Sequence, residues 1–302
     1  MSPPPKSSRP DPAPRGFPLR AAAPFAPSGP VDRAKAAAGL RVLEQMGLRV
    51  LDPGPGGGDP APFPYLAGTD ADRARTFEAL CRHPEADLVW CLRGGYGCGR
   101  WLPLVDWAAL PGRMPLVAGF SDVTFLHAAL VRNGRPALHA PLVATLDRTD
   151  APSRAALAEF LRAGRLPALS GRPLAPGTAE GPLVGGNLAC LCHLVGTPFE
   201  PPWTGAILFI EDRGEPPYRL DRMLTHLRQA GCLAAAAGVA VGRLTETGAP
   251  PDLLRRLLAD RLSDLEIPVV TDLPAGHGPA NAPLLLGAPY RVDGTAGTLA
   301  PA

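Results

Sequence analysis

A serine stands where an apolar, strand-like run gives way to a helix-like segment, in Gly119–Thr124 (GFSDVT). At such a turn the hydroxyl projects from the sheet edge, beside N–H groups of the first helical turn that have no partner within the helix. This arrangement suits Ser121 to nucleophilic attack, with nearby amides able to bind an oxyanion. The spacing departs from G-x-S-x-G, because Asp122 and Val123 follow the serine. Ser121 as a simple helix cap is therefore the alternative interpretation.

A glycine-rich loop, Arg93–Gly97 (RGGYG), follows directly on the apolar run Asp87–Leu92. Glycines at the C-terminal end of a strand allow a tight turn and a close approach of backbone to a ligand. Two interpretations compete, a phosphate-binding loop and a loop that lends an amide to an oxyanion hole. The G-x-G-x-x-G spacing is absent and no acidic residue follows at the expected distance, which disfavours the phosphate loop.

A serine nucleophile needs a base, and His277 stands apart from the other histidines. It lies between glycines in Leu273–Pro279 (LPAGHGP), a loop just after a strand-like segment, where catalytic side chains concentrate. The remaining candidates are His83, His127, His139, His193 and His226.

An acid is also needed to orient the histidine. Glu211 follows the apolar run Ala206–Ile210, and a carboxylate at the end of a buried strand suits that task. Asp212 and Glu215 are its rivals, and either could instead cap the helix that begins near Tyr218 through the favourable N-terminal dipole.

Helix-like and strand-like segments alternate in the first half of the chain. Apolar strands such as Leu116–Phe120, alternating with helices such as Asp70–His83, predict a parallel sheet with helices on both faces. The Pro/Gly-rich stretch Gly164–Gly181 predicts a linker. Beyond it the pattern changes, and Leu284–Leu299 indicates short antiparallel strands with tight turns. We therefore expect two domains of different build.

The composition of the chain excludes several classes of function. The chain has 302 residues, a formal charge of +2 and 46% hydrophobic residues, so we expect a real core and no strong attraction to nucleic acid or an anionic membrane. No stretch approaches the ~20 apolar residues of a membrane span, and the Pro-rich N-terminus has no apolar signal-peptide region. We expect a cytoplasmic protein. Since no HxxxH or Cys/His cluster has ligand spacing, a metal site is disfavoured.

Taken in order, eight segments resemble the LD-carboxypeptidase family, the murein tetrapeptide carboxypeptidases. The matching stretches are Ala26–Asp32, Tyr65–Arg73, Leu88–Trp107, Gly119–His127, Leu138–Leu146, Gly181–Pro201, Ile207–Gly231 and Asp272–Asn281. They are collinear and span almost everything except the N-terminal tail, which makes the resemblance specific.

The resemblance implies a serine peptidase with a Ser–Glu–His triad in chain order. Carried over by position, the nucleophile is Ser121, the acid Glu211 and the base His277. It also implies an oxyanion hole made by the main-chain amides of Gly95, with Gly94 as the neighbouring possibility, and of Asp122. Neither a metal nor a cofactor takes part.

The fold implied is α/β, with a flavodoxin-like parallel-sheet N-terminal domain and a smaller β-rich, swivelling-type C-terminal domain. We expect a disordered tail over 1–16, the nucleophile domain over 17–163, a linker over 164–181, and over 182–302 the domain that carries acid and base. The implied substrate is a cytoplasmic muropeptide tetrapeptide of peptidoglycan recycling, and family members are commonly homodimers. One departure is Pro24, which removes a ladder donor and predicts a short or displaced first strand.

Two other functions compete with this expectation. A peptidase of the microcin-immunity type, which cleaves aminoacyl-nucleotide amides, would share the same triad. An aromatic loop able to stack on a base would distinguish it, and an aromatic content of 6% gives no evident one, which favours the muropeptide. A catalytically silent module that binds peptides or sugars is the second competitor, and the retention of Ser121, Glu211 and His277 argues against it.

Overall fold

The computed structural model describes residues 16–52 and 61–302. The expected disordered tail, residues 1–16, therefore lies outside the described residues except for Gly16. The strands are β1 (Ala21–Phe25), β2 (Arg49–Val50), β3 (Leu88–Cys91), β4 (Leu116–Gly119), β5 (Ala137–His139), β6 (Leu169–Ser170), β7 (Arg172–Ala175), β8 (Thr178–Asn187), β9 (Ile207–Arg213), β10 (Gly238–Thr245), β11 (Val269–Thr271), β12 (Leu284–Leu286), β13 (Pro289–Asp293) and β14 (Thr298–Pro301). The α-helices are α1 (Arg33–Gln45), α2 (Asp70–Cys81), α3 (Cys98–Trp101), α4 (Thr124–Arg132), α5 (Val143–Leu146), α6 (Ala151–Ala163), α7 (Leu188–Leu194), α8 (Pro217–Gln229), α9 (Cys232–Ala235) and α10 (Pro251–Leu262).

The first sheet has the strand order β12-β5-β4-β3-β1-β2. Strands β1 to β5 are parallel, in the order typical of a flavodoxin-like sheet, and β12 joins the edge antiparallel to β5. Strands β1, β3 and β4 are buried along their whole length, as their unbroken apolar sequences predict. The prediction of a parallel-sheet N-terminal domain is confirmed.

Strand β1 is neither short nor displaced, which corrects the expectation drawn from Pro24. The strand runs for five residues between β2 and β3. The carbonyls of Arg20 and Ala22 accept N–H groups on the β2 side, so Pro24 faces that side too. Pro24 pairs with Trp90 of β3 on its other side. Because β2 ends at Val50, no residue of β2 pairs with Pro24, and its missing N–H costs no bond to that strand.

The second sheet is mixed, with the order β6-β14-β13-β8-β9-β10-β11-β7. Its centre, β8 to β11, is parallel, and antiparallel strands flank it on both sides. The β-rich C-terminal domain is therefore confirmed, and the short antiparallel strands expected in Leu284–Leu299 are present.

The stretch Gly164–Gly181 is not a structureless linker. It holds β6, β7 and the start of β8, all in the second sheet. Prolines and glycines are tolerated there because β6 and β7 are the two edge strands of that sheet. The domain boundaries themselves stay a prediction.

A shared core fixes the two sheets relative to each other. One cluster of fully buried apolar side chains joins Val123 and Leu126, which follow β4, to Phe209 of β9 and Val270 of β11. Strand β12 also links the two sheets, because the chain leaves the second sheet and returns to pair with β5 of the first. The loops after β3, β4, β9 and β11 can therefore be held at fixed distances from one another.

Candidate active site

Ser121 lies on a strained turn at the end of β4. Residues Ser121–Val123 form one 3-10 turn before α4, and Ser121 has φ +65°. A left-handed conformation costs a residue with a Cβ about 1–2 kcal/mol, and such strain is typical of functional positions. The cap position of α4 is Val123, and no side-chain hydrogen bond caps that helix. The helix-cap interpretation of Ser121 is therefore not supported.

The glycine-rich loop after β3 lies directly against this turn. A Cβ on Gly94 would stand 3.0 Å from Cβ and 3.1 Å from Oγ of Ser121, so only glycine leaves that space open. The carboxylate of Asp122 is buried and accepts the N–H of Cys98 at 2.8 Å, which ties the end of the loop to the serine turn. Burial raises the pKa of Asp122. Gly95 adopts φ +104° and lines the same cavity as Ser121.

Glu211 and His277 form a close pair. Oε2 of Glu211 accepts the Nδ1–H of His277 at 2.7 Å and the backbone N–H of His277 at 3.0 Å. The side chain of Glu211 is fully buried, and that of His277 is 14% exposed. Burial alone would lower the pKa of His277, but the charge and hydrogen bond of Glu211 outweigh it, so the pKa is raised. Gly276 permits the approach, because a Cβ there would stand 2.7 Å from Cβ of Glu211.

Aromatic packing positions the histidine ring. The ring of Phe120, the residue before Ser121, lies 4.7 Å from the ring of His277 between centroids. The same phenyl ring contacts His139, which in turn packs edge-on against Phe209. His277, with its partner Glu211 on the second sheet, therefore packs directly against the turn that carries Ser121 at the end of the first sheet.

The rival acids have other partners. Asp212 accepts hydrogen bonds from Nδ2 of Asn187 at 3.0 Å and from the backbone N–H groups of Ala189 and Arg213. Burial raises its pKa to about 6. Glu215 pairs with Arg219 one helical turn away. These contacts make Asp212 a support for the start of α7, and the geometry favours Glu211 as the partner of His277.

Three of the other five histidines lie in the core or on the wall of the cavity. His127 and His139 are buried, and burial lowers the pKa of each, to about 3 and about 4 respectively. His193 lies on α7, where Nδ1 is 2.6 Å from the carbonyl oxygen of Ala189.

Sequence reasoning did not single out Asn187, although its signal was readable. Asn187 ends β8 and caps α7, with its side chain accepting the N–H of Cys190. An asparagine before an apolar run is a helix-start signal. Its amide group then holds Asp212, and its backbone N–H donates to Oγ1 of Thr124, so it links the two halves of the site.

The predicted residues meet at one cavity of about 620 Å³. Its walls include Gly95, Ser121 and Asp122 from the first half of the chain and Asn187, Cys190 and His277 from the second. Glu211 lies behind His277, fully buried. A strained serine, an imidazole with a buried carboxylate partner and a glycine loop beside the hydroxyl together form a constellation suited to acyl transfer.

Two features of the described residues bear on other functions. Over 16–52 and 61–302, no three His, Cys, Asp or Glu side chains are grouped as a metal site. In the same ranges, no helix is long and apolar enough to cross a membrane.

The chain matches known proteins over most of its length. Residues 23–140 match the model of the LD-carboxypeptidase N-terminal domain, and residues 180–292 match that of the C-terminal domain. An inferred carboxypeptidase of Streptomyces coelicolor is 41% identical over 290 residues, covering 91% of this chain and 90% of its own. The murein tetrapeptide carboxypeptidase of Pseudomonas aeruginosa is 35% identical over 240 residues, covering 73% of this chain and 77% of its own.

Solved structures agree with these matches. The crystal structure of muramoyltetrapeptide carboxypeptidase from Oxalobacter formigenes superposes with a TM-score of 0.80 at 29% identity, covering 92% of this chain and 97% of that one. The microcin self-immunity protein MccF, in complex with aspartyl sulfamoyl adenosine, superposes with a TM-score of 0.81 at 20% identity, covering 95% and 97%. That second likeness shows the fold alone. From the two matched domains and the identities of its relatives, this chain belongs to the LD-carboxypeptidase family and is a carboxypeptidase.

Proposed function

We propose that the protein is a serine LD-carboxypeptidase acting on muropeptide tetrapeptides in cytoplasmic peptidoglycan recycling. It hydrolyses the bond between the L-centre of the third residue and the terminal D-alanine. The observation that carries the proposal is the Glu211–His277 pair, with 2.7 Å between Oε2 and Nδ1, at the cavity that exposes Ser121. The relatives named for murein peptides supply the substrate class.

The first half of the reaction makes an acyl-enzyme. Nδ1 of His277 is held by Glu211, so Nε2 is the ring nitrogen available as a base. It accepts the hydroxyl proton of Ser121 as Oγ attacks the carbonyl carbon of the scissile bond. The buried carboxylate of Glu211 stabilises the imidazolium that forms. His277 then protonates the departing amine of D-alanine.

Amides of the glycine loop and the serine turn stabilise the tetrahedral intermediate. The N–H groups of Gly95, with Gly94 as the neighbouring possibility, and of Asp122 donate to the oxyanion. Each such donor contributes on the order of 10²–10³ in rate. The hydrogen bond between Asp122 and Cys98 supports this role, because it fixes the two donor segments relative to each other.

The second half regenerates the enzyme. Water takes the place of D-alanine and attacks the acyl carbon as His277 accepts its proton. The ester bond to Oγ then breaks, and His277 returns that proton to Ser121 as the shortened peptide leaves. The proposed assembly is a homodimer, as the family resemblance implies, and its mass in solution by analytical ultracentrifugation is the check.

A second candidate is a microcin-immunity-type peptidase that cleaves aminoacyl-nucleotide amides. The observation that favours it is a group of exposed aromatic rings, which corrects the expectation that no aromatic group lies near the site. Tyr96 lines the cavity, Tyr65 packs against Tyr96, and Phe63 stacks on Tyr65. The murein-peptide relatives are the more similar ones, at 35% and 29% identity against 20% for the MccF structure. The tetrapeptide therefore stays the first choice.

A comparison of three substrates distinguishes the two candidate functions. Purified protein is incubated with L-Ala-γ-D-Glu-meso-diaminopimelate-D-Ala, with the same peptide ending in L-alanine, and with aspartyl sulfamoyl adenosine, and the products are identified by mass spectrometry. The proposal predicts release of the terminal alanine from the first peptide, none from the peptide that ends in L-alanine, and intact aspartyl sulfamoyl adenosine. Cleavage of the sulfamoyl adenosine without release of D-alanine would replace it by the second candidate.

A further inference from the structure

The loop that carries the catalytic histidine joins the two sheets. It covers residues 272–283, from the end of β11 to the start of β12, and we call it the histidine loop. On one side of the histidine, the carbonyl of Ala275 accepts the N–H of Arg243 in β10 at 2.8 Å. On the other side, the carbonyl of Pro279 accepts the N–H of Asp150, the N-cap residue of α6, at 2.9 Å. The histidine is therefore held between the second sheet and a helix of the first half of the chain.

The side chain of Asn281 closes the tip of this loop. Its Oδ1 accepts the N–H of Gly276 at 2.9 Å. The backbone N–H of Asn281 donates to Oγ of Ser153, in the first turn of α6, at 3.0 Å. Both bonds are buried, with Asn281 1% and Ser153 3% exposed, so water does not compete for them. Asn281 thus connects α6 to the residue that precedes His277.

Gly276 needs this contact because a glycine backbone is free to adopt many conformations. It has φ +115°, and a Cβ at this position would stand 2.8 Å from Oε2 of Glu211. Two successive N–H groups fix its orientation. The N–H of Gly276 donates to Asn281, and the next N–H, that of His277, donates to Glu211 at 3.0 Å. Loss of the first bond leaves a buried donor without an acceptor, so the turn would relax and the His277 ring would move away from Glu211.

Backbone bonds hold the base of the loop without the side chain of Asn281. The N–H of Ala282 donates to the carbonyl of Pro274 at 2.8 Å, and the bond between Asp150 and Pro279 is also made by backbone atoms alone. A substitution that shortens the asparagine side chain therefore leaves the loop attached and changes its tip. For that reason we expect a loss of catalysis out of proportion to the loss of stability.

We propose that Asn281 is a positioning residue for the catalytic histidine, with Ser153 as its anchor on α6. The inference rests on the proposed function, in which His277 is the base, and extends it to two residues outside the triad. Helix α6 packs on the first sheet, where its buried side chains share one apolar cluster with those of β1, β3 and β4. The sheet that carries Ser121 is thereby linked to the histidine loop, and this link helps to fix the distance between the serine hydroxyl and Nε2.

The test uses two variants of this link and one matched control. Asn281→Ala removes the acceptor of the Gly276 N–H, and Ser153→Ala removes the acceptor of the Asn281 N–H. Asn133→Ala is the control, because Nδ2 of Asn133 also bonds a backbone group, the carbonyl of Ala129, at 2.7 Å. That bond lies at the C-terminal end of α4, outside the cavity lining. The readouts are the rate of sulfonylation of the catalytic serine by a sulfonyl fluoride, kcat and KM for the tetrapeptide, and the pKa of the catalytic histidine by nitrogen NMR.

The pKa of His277 reports on its contact with Glu211. Burial lowers this pKa, and the charge and hydrogen bond of Glu211 raise it above the ordinary value of about 6.5. The other charged or titratable groups that act on the ring are Asp212, Arg213, Glu246 and His139. All of them remain in the variants, and neither Asn281 nor Ser153 is charged. A lower pKa of His277 therefore means a weaker contact with Glu211.

Asn281→Ala should lower the sulfonylation rate and kcat about 10- to 100-fold, with KM within about twofold, since the reacting groups are misplaced while the cavity wall is kept. The pKa of His277 should fall toward its ordinary value. Ser153→Ala should change the rates and the pKa in the same direction by a smaller factor, and Asn133→Ala should match the wild type. A wild-type pKa of His277 in Asn281→Ala, or a wild-type sulfonylation rate, overturns the proposal. Where Asn281→Ala does not fold, the same two quantities in Ser153→Ala decide it.

These readouts separate the inference from the proposed function, because NMR titration and sulfonylation need no substrate. A wild type that releases no D-alanine counts against the proposed function and leaves the comparison of His277 pKa values between wild type and Asn281→Ala intact. A wild type that releases D-alanine, with kcat unchanged in Asn281→Ala and Ser153→Ala, overturns the positioning role alone.

Discussion

One oxygen of Glu211 holds both the ring and the backbone of His277, with Oε2 2.7 Å from Nδ1 and 3.0 Å from the backbone nitrogen. Two donors from one residue converge on a fully buried acceptor, so the imidazole cannot rotate without breaking a buried hydrogen bond. Because an ionised carboxylate only accepts, the neutral ring carries its proton on Nδ1 and leaves Nε2 as the base. The pair therefore fixes the tautomer as well as the orientation of His277.

Glu211→Gln should remove the carboxylate that fixes the tautomer and the orientation of His277. The amide cannot stabilise an imidazolium and allows the wrong tautomer, so we expect kcat to fall about 10²–10⁴-fold. The side chain keeps its volume, and the thermal midpoint should stay within about 5 °C of the wild type. Asp212→Asn is the matched control. A large loss in Asp212→Asn with near-normal turnover in Glu211→Gln would identify Asp212 as the acid.

The pH dependence of kcat/KM should show an acid limb above the ordinary histidine value of about 6.5. The pKa of His277 is raised, and as the pH falls through that value the ring is protonated and can no longer accept the serine proton. In Glu211→Gln the burial of the ring remains while the carboxylate charge is lost, so the limb should move to lower pH. A profile of both proteins from pH 5 to 9 checks this, and an unmoved limb would show that another group controls it.

Deprotonation of His277 should raise activity but lower the free energy of unfolding. A histidine whose pKa is raised on folding stabilises the protein below its unfolded pKa, and that contribution is lost as the pH rises through the folded pKa. The difference in unfolding free energy between the wild type and His277→Gln should therefore shrink as the pH rises through the acid limb of activity. Urea unfolding at a series of pH values measures it, and a difference that grows with pH would contradict the raised pKa.

Gly94→Ala tests the space beside the nucleophile. The new methyl would lie 3.0–3.1 Å from Cβ and Oγ of Ser121, so it must displace the hydroxyl by a few tenths of an ångström. We expect kcat to fall about 10²-fold, since small misplacements of reacting groups are costly. Gly112→Ala is the control, because nothing lies within 4 Å of a Cβ there. Equal activity in the two variants would mean that the glycine loop does not border the reacting oxygen.

Reagents that react with serine or with cysteine should give opposite results. Burial raises the pKa of all six thiols, including Cys190 in the cavity wall, so the thiolate fraction at pH 7.5 is very small. Iodoacetamide should leave turnover unchanged, and a sulfonyl fluoride should inactivate the protein with its label on Ser121 by peptide mass spectrometry. Inactivation by iodoacetamide with the label on Cys190 would contradict the serine mechanism.

Much of the fold was readable from the sequence. Apolar runs such as Leu88–Cys91 are typical of strands buried on both faces, and the structure confirms this strand. The glycine loop that borders Ser121 follows it. The expectation of a linker over Gly164–Gly181 did not include the strands β6 and β7 that the structure has there, and the reason is physical. Local composition indicates turns and the edges of strands. Whether a segment joins a sheet depends on its partner strand, and the partner of β6, which is β14, lies more than a hundred residues away in the sequence.

The residues of the site also fall into two groups, those that a local sequence signal indicates and those that only the folded chain brings together. Local signals, a strand end or flanking glycines, made Ser121, Glu211 and His277 candidates, and the family resemblance selected them over alternatives such as Asp212 and Glu215. Glu211 was expected just after a strand that ends at Ile210, whereas the structure places it inside β9. The contact between Phe120 and His277 and the bridge from Asn187 to Asp212 join segments remote in sequence, and no local pattern encodes them. Phe63 and Tyr65 were missed for another reason, since a low aromatic content says nothing about where the few rings gather.

The central claim is that Ser121 attacks the bond to a terminal D-alanine. The most direct measurement is release of free D-alanine from L-Ala-γ-D-Glu-meso-diaminopimelate-D-Ala, followed by mass spectrometry for the wild type and for Ser121→Ala of equal thermal midpoint. We predict release by the wild type and none above background by the variant. Equal release by both proteins, or none by a folded wild type, would contradict the account.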